Sequence, residues 1–179
     1  MEPRNFSPEE LIEVKNIPPW EKQMIKNDDL SIPVEHVVIL SYSEISYLAE
    51  PIRSAELFSD GSIVLKQKDS VIQTQQQRRI DPKDLISSLN KMGLLGLKQE
   101  NMEKRAYQIG MNTGSILMPH IHSKTDKISI HLIKYKQELS WEGLEEAVET
   151  CPTFKELAVF KTAIDLIKKS FDQQKEVWE

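Results

Sequence analysis

The chain is poor in the features that usually announce chemistry or location. It has one cysteine, Cys151, so no disulfide can close within it. Its longest aliphatic runs, such as Val37 to Leu40, fall far short of the ~20 residues a membrane-spanning helix needs. The start, Met1-Glu2-Pro3-Arg4-Asn5, lacks the basic and then apolar order of a secretory leader, and a cytoplasmic location is expected. There is no G-x-x-x-x-G-K-[ST], G-x-G-x-x-G, H-E-x-x-H or G-x-S-x-G, and no pair of C-x-x-C. Phosphate cradles, dinucleotide folds, common zinc proteases, nucleophile elbows and zinc ribbons therefore lack their signatures.

What is present is ordinary for a folded domain: 179 residues, 39% hydrophobic and 28% charged, with 6 Gly and 9 Pro. A body of this size buries roughly 70% of its unfolded surface. The net charge of -5 gives no long-range attraction to nucleic acid or anionic lipid, so neither is an expected partner. The ends are acidic and the middle, residues 31–137, carries 14 basic and 11 acidic groups, the pattern of solvated helix faces at both ends.

Ser7-Pro8-Glu9-Glu10 holds a capping box with Pro at the first helical position and predicts a short helix to about Asn16. Ile17-Pro18-Pro19 ends it, and a second helical stretch is predicted over Trp20 to Lys26. Residues 1–33 thus form a helical arm, with Trp20 as its anchor. Residues 34–172 are expected to form one α+β domain, and 173–179 a polar tail. Val34 to Tyr42 predicts a buried strand. Asp60-Gly61 between residues 54–59 and 62–66 predicts a two-residue hairpin of type I′. Ser70 to Gln77 predicts a polar edge strand. Asp81-Pro82 starts a helix striped by Leu85, Ile86, Leu89 and Met92 and stopped by Gly93. Strands follow at Ser115 to Met118 and Lys127 to Tyr135, then a long helix after Pro152 with Phe154, Leu157, Phe160, Ile164, Ile167 and Phe171 on one stripe.

The expected architecture is an antiparallel sheet with two helices, 82–93 and 153–171, packed on one face. Its expected core is Val38, Leu40, Leu57, Val64, Leu85, Leu89, Ile130, Leu132, Leu157, Ile164 and Ile167.

Leu57-Phe58-Ser59-Asp60-Gly61-Ser62-Ile63-Val64, Arg79-Ile80-Asp81-Pro82-Lys83-Asp84-Leu85 with Gly93-Leu94-Leu95-Gly96-Leu97, and Thr125-Asp126-Lys127-Ile128-Ser129-Ile130-His131-Leu132 carry a resemblance. Over about residues 53 to 171 the chain resembles a family of bacterial domains of unknown function with a βββαββα layout. The resemblance implies a fold and no activity; Leu139-Ser140-Trp141 departs from the family's small polar residue.

Few residues suggest a site. Cys151 before Pro152 stands where helix amides would favour a thiolate, yet no base accompanies it. Glu145, Glu146 and Glu149 fit a dipole-favoured acidic turn better than a catalytic pair. Gly110 and Gly114 flank what is expected to be a flexible loop rather than an anion cradle. Arg78 and Arg79 with Lys66 and Lys68 lack the interleaved aromatics of a nucleic-acid surface. His120, His122 and His131 fall within twelve residues. If a turn near Lys124 to Lys127 set His120 opposite His131, the three imidazoles would share a face and could hold zinc. The leading expectation is a non-catalytic cytoplasmic binding or regulatory module acting through a protein partner, with Tyr42, Ile45 and Tyr47 exposed at the sheet rim. A small-molecule or metal-binding protein, and an acidic immunity-type inhibitor, are the alternatives.

Overall fold

The computed structural model describes residues 6–67, 70–75, 80–113 and 122–171, and it is α+β. Helix α1 (Pro8–Lys15) leads through an irregular segment and a 3₁₀ turn (Asn27–Leu30) to strands β1 (Val38–Ile45), β2 (Pro51–Phe58), β3 (Ile63–Gln67) and β4 (Ser70–Gln75). Helices α2 (Pro82–Lys91) and α3 (Gln99–Thr113) follow, then β5 (Thr125–His131), β6 (Lys136–Glu142), α4 (Leu144–Thr150) and α5 (Lys155–Phe171). The six strands form one antiparallel sheet in the order β4-β3-β2-β1-β5-β6.

The register sorts the side chains into rows. Ile63, Leu57, Leu40, Ile130 and Gln137 lie across from one another, as do Leu65, Ala55, Tyr42, Ile128 and Leu139. These inward rows are buried with Leu85, Ile86 and Leu89 of α2, Met102 of α3 and Leu157, Phe160, Ile164 and Ile167 of α5 in one cluster. The outward rows carry Ser41, Ser43, Ser54, Ser129, Ser140, Glu56 and Glu138. Small polar side chains can stay solvated, so the helices cover one face only.

Local signals worked where they act over a few residues. Ser7 Oγ accepts from the Glu10 N–H while the Ser7 N–H donates to Glu10 Oε2, the expected box. Asp81 caps α2 by accepting from the N–H groups of Lys83 and Asp84, and Gly93 ends it at φ +95°.

Several expectations need correction. Trp20 to Lys26 is not helical and has no regular secondary structure. Strand β1 starts at Val38 rather than Val34, and a bulge between Val38 and Leu40 buries Ile39 while turning Val38 outward beside Phe58. The β2–β3 loop holds three residues: the Phe58 N–H donates to the Ser62 carbonyl and the Gly61 N–H to the Phe58 carbonyl, with Gly61 at φ +87°. That is a turn closed by a glycine bulge, and the one-residue shift from a two-residue loop buries Ile63 and Leu65 and moves Val64 to the outer face. The other nine expected core residues are buried. Helix α3 occupies residues for which no element was expected, and its end runs into the expected loop at Gly110; it is mostly polar, with Met102, Ala106 and Ile109 as its packed stripe. Gly110 is therefore helical. The second hairpin joins β5 to β6 through Leu132 to Tyr135, so Ile133 sits on an exposed turn. The strand expected at Ser115 to Met118 lies outside the described residues.

Gln137, buried at the end of the first row, donates through Nε2 to the carbonyls of Leu94 (2.7 Å) and Leu97 (2.8 Å), holding the turn after α2 against β6. Replacing it by Ala strands two carbonyls. Gln137→Ala should lower unfolding free energy by about 2–4 kcal/mol, read as a lower urea midpoint with unchanged slope.

Candidate functional site

Where the helix layer ends, the third inward row turns polar: Gln67, Arg53, Glu44, Asp126 and Trp141. The Tyr42 hydroxyl lies 2.5 Å from Asp126 Oδ1 and 3.1 Å from Glu44 Oε1. It has one proton to give. The hydroxyl donates toward both carboxyls, which compete for that proton, with the shorter contact on Asp126. Burial raises the Asp126 carboxyl above its ordinary value against the Tyr42 hydrogen bond, and burial with the nearby Asp126 charge pushes the Tyr42 phenol well up. Burial also works to raise Glu44, but cations outweigh it and hold that carboxyl low. Lys168 Nζ from α5 is 2.9 Å from Glu44 Oε1, Lys124 Nζ is 3.3 Å away, and Arg53 Nε is 3.8 Å from Oε2. Lys168 also lies 5.5 Å from the centre of the Tyr42 ring.

Outside this network the β1–β2 turn projects Tyr47 and Leu48, 54% and 62% exposed. Ser46 clamps the turn, its Oγ accepting from the N–H groups of Leu48 and Glu50 and its N–H donating to the Glu50 carbonyl. Ala49 is left-handed at φ +61°, and so is His122 at φ +75°, whose ring meets Tyr47 edge-on at 4.3 Å. Non-glycine residues in this region carry strain that a fold keeps only where its surroundings enforce it. Buried Ser123 Oγ beside His122 has no hydrogen-bond partner among the described residues.

A second site underlies the arm. Ile25 pairs through both main-chain groups with the Asn90 side chain, N–H to Oδ1 at 2.9 Å and Nδ2 to carbonyl at 3.0 Å. Arg105 of α3 donates to the Pro18 carbonyl, to Gln108 and, at 2.9 Å, to buried Glu156. Gln108 Nε2 donates to the Ile17 carbonyl at 3.3 Å. The arm crosses Gly96, where a Cβ would meet the Gln23 carbonyl oxygen at 2.3 Å. A cleft of about 480 Å³ remains between the arm and α3, lined by Ile17, Pro18, Trp20, Leu97, Met102 and Arg105 among others.

The remaining sequence candidates lie on separate elements. His131 lies opposite Lys136, and β5 has β1 and β6 on its two sides. His122 precedes the start of β5 and His131 ends it, ~20 Å of strand between them. His120 lies outside the described residues, and among those described no three His, Cys, Asp or Glu groups gather as metal ligands. Cys151 closes α4 with its N–H on the Ala147 carbonyl, 3.5 Å by Sγ from Thr153 Oγ1, while α5 starts only at Lys155; the helix amides expected at Pro152 are not there. Glu145, Glu146 and Glu149 belong to α4. Lys66 pairs with Glu56 at 3.6 Å; Lys68, Arg78, Arg79 and Gly114 lie outside the described residues. At the rim Tyr47 is exposed, Ile45 half-buried and Tyr42 fully buried: Tyr42 stands two residues from Leu40 and shares its inward face. The polar row had a faint signal, since Tyr42 and Glu44 alternate at strand period and Asp126 opens β5, but its partners come from four separate elements. No helix of the described residues is long and apolar enough to cross a membrane. No protein-family model, curated protein or solved structure matches the chain.

The two carboxyls should answer pH with opposite signs. Glu44 titrates lower folded than unfolded, so its stabilisation is present above its unfolded range and disappears as pH falls through the folded value. Asp126 titrates higher folded than unfolded, so its native proton stabilises at low pH, a benefit lost as pH rises through the folded value. Glu44→Gln should cost about 1–3 kcal/mol at pH 7 by leaving Lys168 and Lys124 uncompensated, and the deficit should shrink in acid. Asp126→Asn should match or exceed the parent at pH 8, by up to about 1 kcal/mol, with no gain at pH 4. Urea melts of the three proteins from pH 4 to 8 check both.

Proposed function

We propose that this chain is a non-catalytic binding module of the cytoplasm that acts through a protein partner docked on the Tyr47, Leu48 and His122 end of the sheet. The observation that supports this is a pair of large apolar side chains held outward by a clamped, strained turn. Ordinary loops let such side chains fold back; here the turn is preorganised, which lowers the entropy lost on docking. An aromatic anchor with a charged rim is the anatomy of a protein interface. The rim is Arg53, Lys124 and Lys168, each partly exposed although drawn to Glu44. It suits a partner that sets carboxylates around an apolar pocket.

A photo-reactive residue at position 47 should give one discrete adduct in cells, and the same residue at position 138, on the serine-rich outer face, should not. With that partner in hand, Leu48→Ala should weaken binding at least about tenfold and Lys124→Glu a comparable amount, mostly through slower association for the latter. Adducts of equal yield at 138, or binding indifferent to both substitutions, would remove the proposed surface.

A further inference from the structure

We propose that Lys124 and Lys168 form a binding site for a phosphoryl group at the end of the sheet, borne by a free phosphate or by a phosphorylated residue. The site shares two cations with the docking rim but goes beyond the docking reading and does not depend on it.

The geometry starts from Glu44, which is buried and draws both ammoniums to one oxygen: Lys168 Nζ stands 2.9 Å and Lys124 Nζ 3.3 Å from Oε1. The two nitrogens therefore lie no more than about 6 Å apart, a span that two charge-assisted hydrogen bonds of about 2.8 Å cover when they end on two oxygens of one oxyanion. An ammonium has three N–H groups. Each of these gives one to Glu44, and neither lysine makes another hydrogen bond among the described residues, so both keep donors to offer. Their side chains are 33% and 24% exposed, open to a ligand from solvent. Free surface lysines lose rotamer freedom when an anion arrives. Here the buried carboxylate has already brought the pair together, and Lys168 also lies over the Tyr42 ring.

Charge selects the anion. Arg53 joins at 3.8 Å from Glu44 Oε2, so three cations meet two carboxyls, and the group is positive even with Asp126 ionised. Burial raises the Asp126 carboxyl and moves the surplus from one positive charge toward two. A phosphate monoester carries roughly −1.5 to −2 at pH 7 and presents three acceptor oxygens. Seated outside the two ammoniums, it completes a ring in which Glu44, Lys168, the phosphoryl group and Lys124 alternate in sign, so a cation lies on either side between it and Glu44. A carboxylate brings less charge and one oxygen fewer.

NMR of the lysine ammonium groups of the full chain tests this, with inorganic phosphate and a short phosphoserine peptide added at constant ionic strength. The Nζ signals of Lys124 and Lys168 should shift together and saturate, with those of Lys127 and Lys169 unmoved. Lys124→Gln and Lys168→Gln should each weaken binding at least about tenfold, whereas Lys127→Gln and Lys169→Gln, which remove the same charge, should change it less than about twofold. Where a variant fails to melt cooperatively, the parent's ammonium shifts decide. A peptide at least about tenfold tighter than inorganic phosphate makes a phosphorylated residue the source, and a smaller preference makes it a free phosphate. Shifts spread evenly over the lysines, equal losses in all four variants, or acetate bound as tightly as phosphate overturn the proposal. A partner captured at position 47 by a chain that binds no phosphate would also remove this site, while leaving the docking reading in place.

Discussion

Every inward side chain of the sheet must find cover in the single helical layer, because among the described residues the opposite face is left mainly to serines, glutamates and lysines that need none. This one-sidedness organises the molecule. Two rows across β1, β2, β3, β5 and β6 are apolar but for Gln137 and lie under α2, α3 and α5. The third row runs past the end of α5, where Lys168 is the last cation to reach inward. Trp141 closes one end of the row against Phe154, and isolated charges along the rest would be stranded. Tyr42 instead bridges Glu44 and Asp126, and Lys168 and Lys124 compensate Glu44.

Within that row the environment drives two neighbouring carboxyls apart. Glu44 gathers Lys168, Lys124 and Arg53 and stays ionised; Asp126, sealed behind the Tyr42 hydroxyl, holds its proton more tightly. Divergent pairs of this kind can serve acid and base chemistry, but here their facing atoms are occupied by Tyr42 and the ammoniums. The network is better understood as the rigid base of the Ser46–Glu50 turn, whose strand ends it ties to β5 and α5. Tyr47 and Leu48 stand on that base.

The arm answers a different consequence of a single layer. α3 has too little apolar surface to close the flank of the core by itself, and Val14, Trp20 and Ile25 supply the rest. The Arg105–Glu156 pair sits at their junction, binding α3 to α5 while Arg105 grips the Pro18 carbonyl. Closure is therefore delivered by a segment attached through its main chain, which keeps its position without being woven into the sheet.

The amino-acid sequence by itself determined what depends on neighbours a few residues away: the Ser7 and Asp81 caps, the Gly93 stop, the stripe of α5 and the antiparallel, one-faced α+β plan. Tertiary structure decided everything that turns on register and on partners distant in the chain. One extra loop residue at Ser59-Asp60-Gly61 put Val64 outside, and one bulge at Ile39 turned Val38 outward, because a strand's faces alternate at every residue and a shift of one reverses them. α3 was illegible because its polar residues gain helical stability only from packing that the rest of the chain provides. The Glu44 network joins residues 42, 44, 53, 124, 126 and 168, and no spacing along a chain encodes such a meeting. Only the order of strands in the sheet, with β5 between β1 and β6, brought them together and kept His122 from His131.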